Sequence, residues 1–140
     1  MMITIGSDHR GYKLKSEIIK HFTNLQWIDV GTDSEIRVDY PIFAKKVCNN
    51  ILNDKSDLGI LICGSGIGVS IAANRFKGIY AGLCWNVEVT KSAKADDNIN
   101  ILALPADFVS AKDAFAIIEA WLYTEFKGDR YQKRLELIDK

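Results

Sequence analysis

The sequence predicts an α/β fold: a five-stranded parallel sheet with helices on both faces, in a single domain. Three observations point there. Short apolar runs alternate with helix-period segments along the whole chain. The run Leu58–Cys63, LGILIC, lacks polar alternation, as expected for a parallel strand covered on both faces. The length of 140 residues, without repeat, low-complexity tract or linker, suits one domain with one proper core.

The elements follow in order. Met2–Gly6 is a short apolar run and reads as the first strand. Tyr12–Phe22 carries Leu14, Ile18 and Phe22 four residues apart, the stripe of a helix. Gln26–Val30 is the second strand, and Gly31–Tyr40 is a polar loop. Pro41 suits the first turn of the next helix, whose stripe is Phe43, Val47 and Ile51. Leu58–Cys63 is the third strand and Gly64–Gly68 a glycine-rich loop. Val69–Arg75 begins the third helix. Ile79–Cys84 reads as a strand, Val87–Ala95 as a helix and Ile101–Leu104 as the fifth strand. Ser110 with Asp113 resembles a capping box at the start of a long helix, Ala111–Phe126. Arg130–Ile138 is a last helical segment.

Such sheets use right-handed crossovers and bind ligands beyond the carboxyl ends of their strands. The segments to inspect are therefore Ser7-Asp8-His9, Gly31-Thr32-Asp33, Cys63 through Gly68, Trp85-Asn86 and Pro105-Ala106-Asp107.

Composition narrows the function. Lys+Arg and Asp+Glu both number 18, so the chain has no basic surplus for nucleic acid or a membrane surface. Zero formal net charge leaves little self-repulsion, which favours an oligomer. The three cysteines, Cys48, Cys63 and Cys84, are odd in number and lack CxxC spacing. That argues against disulfides and a zinc site, and for a reducing, cytoplasmic location. The N-terminus MMITIGSDH has no secretory pattern, and no stretch approaches the ~20 apolar residues of a membrane span.

The strongest chemical signal is Cys63-Gly64-Ser65-Gly66-Ile67-Gly68, between the most apolar strand and a helix. Glycines let backbone N–H groups converge on a ligand, and the helix start adds partial positive charge. Such a place favours thiolate chemistry and a developing oxyanion. The spacing is neither a dinucleotide fingerprint nor a Walker loop. A tight turn with an inert cysteine is the plain alternative. Asp8 and His9 after the first strand suit hydroxyls, protons or a phosphate, or simply cap a helix. Arg130 and Arg134, four apart, share one helix face and suit a phosphate, or form a solvated basic face. His21 reads as a surface or packing residue, Cys48 as core, Cys84 as packing ahead of a site role, and Trp27 and Trp121 as core or interface. A flavodoxin-like or receiver-like module is a further reading, but receivers carry an aspartate where this chain has Cys63.

Taken together, GSDHRGYKLK, VGT followed by VDYP, LGILICGSGIGVSIAANRFKGI, NILAL and GDRYQKRL resemble the type B ribose-5-phosphate isomerase family. The related galactose-6-phosphate isomerase subunits are similar. The match spans essentially the whole chain. The resemblance implies a Rossmann-like, doubly wound fold and a homodimer or homotetramer with sites at the subunit interface. It also implies no metal or organic cofactor, and an aldose–ketose isomerisation through a cis-enediol. Cys63 matches the catalytic base, and Ser65 a residue assisting at the substrate oxygens. Gly64, Gly66, Ile67, Gly68, Val69 and Ser70 match the surroundings of the enediolate. Asp8, His9 and Tyr40 match sugar-site positions. Arg130 and Arg134 match phosphate ligands on a C-terminal segment, about residues 128–140, that reaches the partner subunit.

Two positions depart from the family pattern. A histidine credited with opening the furanose ring is replaced by Asp96, or by Asp97 or Ala95 with a one-residue slip. A raised aspartate could still act there; His9, or the open-chain sugar, offers other routes. Asp107 stands where the family often has a phosphate-binding arginine, and would repel a phosphate if it pointed inward. These departures keep two alternatives open: a six-carbon sugar phosphate as substrate, and a non-catalytic sugar-phosphate-binding subunit.

Overall fold

A computed structural model describes residues 1–140. The strands are β1 (Met2–Ser7), β2 (Gln26–Asp29), β3 (Leu58–Cys63), β4 (Ala81–Leu83) and β5 (Ile101–Pro105). The helices are α1 (Tyr12–His21), α2 (Tyr40–Leu52), α3 (Ile67–Ala73), α4 (Val87–Asp97), α5 (Ala111–Tyr123) and α6 (Arg130–Ile138). All strand pairs are parallel, in the order β2-β1-β3-β5-β4.

Strand alternation sorts the core into two layers. Ile3, Ile5, Ile60, Ile62, Leu102 and Leu104 face α1 and α5, with Ile18, Ile117 and Trp121 packed on them. Val89 and Ala93 bring α4 onto the same side. Leu61, Cys63, Ile101 and Ala103 face α2 and α3, against Val47, Cys48, Val69 and Ala73. Helices therefore cover both faces, and the fold is Rossmann-like. The expected packing residues behave accordingly. Trp121 is fully buried, and its indole N–H donates to the Ile99 carbonyl at 3.0 Å. His21 stacks on Phe115 with ring centroids 3.8 Å apart.

Element ends differ from expectation in a few places. β4 is only Ala81–Leu83. It lies on the edge, and the Tyr80 amide donates to the Asn100 side chain at 2.8 Å instead of joining the ladder. α3 starts two residues early, at Ile67, because Gly66 takes φ +73° and turns the chain into the helix. α4 runs on to Asp97, where Asn98 closes it in the left-handed conformation. The Ser110 hydroxyl does cap α5, accepting from the Asp113 amide at 3.1 Å.

The strand order places the site. The chain leaves β1 toward β2 on one side and later adds β3 on the other. α1 and α3, which follow these neighbouring strands, lie on opposite faces. A crevice opens between them at the carboxyl edge of the sheet.

Candidate active site

β3 ends at Cys63, beside Pro105 of β5, and Ile62 pairs with Ser7 of β1. The loops after β1, β3 and β5 therefore meet at one edge. Cys63 is 5% exposed. Its Sγ accepts the Gly66 amide at 3.1 Å, which fixes the sulfur against the start of α3. A side chain at Gly66 would strike Leu83 Cδ1 at 2.5 Å, besides needing an unfavourable φ.

The rest of the loop is arranged around that sulfur. Ser65 Oγ accepts the Ile67 amide at 3.1 Å, leaving its own O–H without a protein acceptor. Ser70 Oγ donates back to the Gly66 carbonyl at 2.8 Å, so this hydroxyl is spent inside the helix. The amides of Gly64, Ser65, Gly68 and Val69 donate to no protein group. A Cβ on Gly68 would lie 2.6 Å from Tyr40 Cζ, so glycine here admits the Tyr40 ring against the loop.

The β1 loop supplies Asp8 and His9. Asp8 is buried, and its Oδ1 accepts the Arg10 and Gly11 amides at 2.9 and 3.1 Å. One oxygen thus shapes the entry to α1, and Oδ2 has no protein partner. His9 Nδ1 accepts the Val38 amide at 3.2 Å. That bond makes Nε2 the N–H donor of the neutral ring and ties down the loop before α2. Gly11 lets α1 approach closely: a Cβ there would lie 2.6 Å from the Ile62 carbonyl.

Asp8, His9, Tyr40 and residues 63–70 are thus brought together. Asp96, Asp97, Arg130 and Arg134 are not. Asp96 and Asp97 end α4, just before β5 begins, while Cys63 lies level with the last residue of β5. Five strand residues separate the two ends, roughly 17 Å. Asp96 Oδ1 instead accepts Lys127 Nζ at 2.7 Å. That bond, then one with Tyr131, raises the Lys127 pKa. Arg130 and Arg134 lie over the Tyr131 ring at 4.8 and 5.1 Å from its centroid, and Lys127 joins them at 4.8 Å. Three cations surround one tyrosine, with Asp96 as the carboxylate bonded among them.

The other thiols are set apart chemically. Burial pushes Cys48 up to about 12, against a lowering backbone hydrogen bond. Burial also raises Cys84. Both stay protonated at neutral pH, so neither supplies a reactive thiolate.

A cleft of about 540 Å³ lies away from Cys63, between β4, α4 and α6. There the Tyr80 hydroxyl donates to Asp139 Oδ2, and the Gly78 amide donates to Oδ1 at 3.2 Å. No residue of the Cys63 loop lines it. Cleft size and chemistry disagree, and the chemistry is the better guide, because the unpartnered amides and thiol converge at the Cys63 loop.

The sequence reading missed one feature. Arg10 is ion-paired with Asp107, so Asp107 does not stand as a lone carboxylate. The signal was the adjacency of β1 and β5 to β3, which sequence alone does not order. No cluster of metal-ligating side chains is present, and no helix is long and apolar enough to cross a membrane.

Comparison with known proteins agrees with this arrangement. Residues 3–138 match the family model described as Ribose/Galactose Isomerase. The Escherichia coli protein named ribose-5-phosphate isomerase B is 40% identical over 97% of this chain and 93% of its own. A crystal structure of a ribose 5-phosphate isomerase from Thermotoga maritima superposes with a TM-score of 0.97. It is 43% identical and covers 99% of this chain and 97% of its own. A Mycoplasma genitalium ribose-5-phosphate isomerase B, solved with bound ribulose-5-phosphate, has a TM-score of 0.93 at 37% identity. That alignment covers 99% of this chain and 93% of the other. With the family matched over nearly its whole length and the fold reproduced, the chain belongs to the Ribose/Galactose Isomerase family and is an isomerase.

Proposed function

We propose that this chain interconverts ribose 5-phosphate and ribulose 5-phosphate, with Cys63 as the base. The observation that carries the reading is the buried Cys63 sulfur, held by the Gly66 amide beside the unpartnered amides of Gly64, Ser65, Gly68 and Val69. The Mycoplasma genitalium relative, solved with ribulose-5-phosphate, points to the same substrate class.

The geometry supports the following steps. The Cys63 thiolate takes the proton from C2 of the open-chain aldose, and the C2–H electrons form the C1=C2 bond of an enediolate. Negative charge moves to O1, where loop amides can donate. Ser65, with its O–H free of protein acceptors, passes a proton between O2 and O1. Cys63 then returns its proton to C1, leaving the ketone at C2. Asp8 Oδ2, His9 Nε2 and Tyr40 border the loop and suit the sugar hydroxyls.

Asp96, Arg130 and Arg134 enter through a second copy. They lie too far from Cys63 in one chain, and exposed Ile67, Ile71 and Trp85 beside the loop offer an apolar face for a partner. In a homodimer, the partner subunit's Arg130 and Arg134 would bind phosphate, and Asp96 of the partner subunit would act in ring opening. Galactose 6-phosphate is the substrate that competes with this reading. The test is turnover of ribose 5-phosphate against galactose 6-phosphate; activity on the hexose alone overturns the pentose assignment.

A further inference from the structure

Arg10 and Asp107 meet over Gly64. Arg10 follows β1, Asp107 follows β5, and Gly64 follows β3, the strand between them. Both backbones are anchored before the side chains meet. The Arg10 amide donates to Asp8 Oδ1 at 2.9 Å, and the Asp107 amide donates to the Gly64 carbonyl at 2.9 Å. Arg10 Nη2 then donates to Asp107 Oδ2. A Cβ on Gly64 would lie 2.6 Å from Arg10 Nε and Cζ and 2.7 Å from Asp107 Oδ2. The pair fills the space this glycine leaves, one residue from Cys63.

Fold stability does not explain the arrangement. The Arg10 side chain is 58% exposed, and ion pairs that exposed contribute little. A guanidinium carries five donors in one plane, and Asp107 engages it through Nη2 alone. Its other N–H donors have no protein partner, so the second N–H of Nη2, paired with Nε or with Nη1, leaves one edge as a fork suited to two oxygens of a phosphomonoester. The arginines of α6 lie elsewhere in this chain, whereas Arg10 shares the loop edge with Cys63.

We propose that Arg10 binds the phosphate of the substrate at the Cys63 loop, and that Asp107 is the positioning residue that holds its guanidinium over Gly64. This deepens the isomerase reading and rests on it. Asp107 then serves anion binding indirectly, although its own charge is negative.

The test uses the full-length protein and four variants: Arg10→Ala, Arg10→Lys, Asp107→Asn and the double variant Arg10→Ala/Asp107→Arg. KM, kcat and inhibition by inorganic phosphate are measured for each, with the phosphate-induced rise in melting temperature. Loss of a charge-assisted contact predicts that Arg10→Ala raises KM and the phosphate inhibition constant roughly ten- to a hundredfold, with a smaller change in kcat. Arg10→Lys recovers part of the loss. The double variant, which moves the guanidinium to the other side of Gly64, recovers more. Asp107→Asn raises KM; a lowered KM would mean that Asp107 only competes with phosphate, and would overturn its positioning role. Unchanged KM and phosphate inhibition in Arg10→Ala overturn the proposal. If the wild type turns over no sugar phosphate, the isomerase reading fails. The melting shift then still decides Arg10: its loss in Arg10→Ala supports phosphate binding, and an equal or absent shift overturns it.

Discussion

The Gly66 amide donates to Cys63 Sγ at 3.1 Å, across the turn that carries β3 into α3. The bond depends on the left-handed backbone at Gly66, with φ +73°. One residue thus ends the strand, starts the helix and aims a donor at the sulfur. The thiol is placed by the backbone and not by a flexible neighbour.

Replacing Gly66 by alanine tests that dependence. A left-handed alanine costs about 1–2 kcal/mol, before the contact with Leu83 Cδ1 is relieved. Urea unfolding should report a loss of at least that size, and kcat should fall as the amide leaves the sulfur. Unchanged stability would show that the turn relaxes without strain.

Much of this was legible in the sequence, for physical reasons. LGILIC announced a doubly covered strand because its lack of alternation leaves no polar face. Cys63 stood out because glycines crowd the helix start after it. The strand order was not legible, since nothing local says that β5 inserts between β3 and β4. That order brings Arg10 and Asp107 to the two sides of Gly64, so their pairing was invisible and Asp107 read as an unpaired negative charge. The separation of Asp96 from Cys63 was hidden likewise, because α4 runs back along the sheet before β5 starts.

A shared site predicts complementation between subunits. Cys63→Ala and Arg134→Ala proteins should each be nearly inactive or weakly binding alone. Mixed after unfolding and refolding together, they should recover about a quarter of the wild-type rate, since half the dimers are mixed and each holds one intact site. Activity is read at low substrate concentration. A mixture no better than the sum of its parts would place each site within one chain.

The Tyr80–Asp139 hydrogen bond predicts a pH signature away from the site. Burial, then the bond to Asp139, raises Tyr80 to about 12 from 10.0. The stabilisation is therefore whole below pH 10.0 and fades as pH climbs toward about 12. Asp139 is lowered, first by the Tyr80 bond and then by the Gly78 amide. Its contribution is present above the usual 3.8 and fades as pH falls below it. Melting temperature against pH should fall less steeply at both extremes in Tyr80→Phe than in the wild type. Identical profiles would deny the bond any energetic role.

In the proposed reaction, Cys63 moves the proton between C2 and C1 of the sugar. The most direct measurement follows ribose 5-phosphate by NMR with wild type and with Cys63→Ala, after circular dichroism has shown both folded. With Cys63 as the base, the wild type forms ribulose 5-phosphate, and the variant is slower by a factor on the order of 10²–10⁴, the usual contribution of a positioned base. Near-wild-type turnover by folded Cys63→Ala would contradict it.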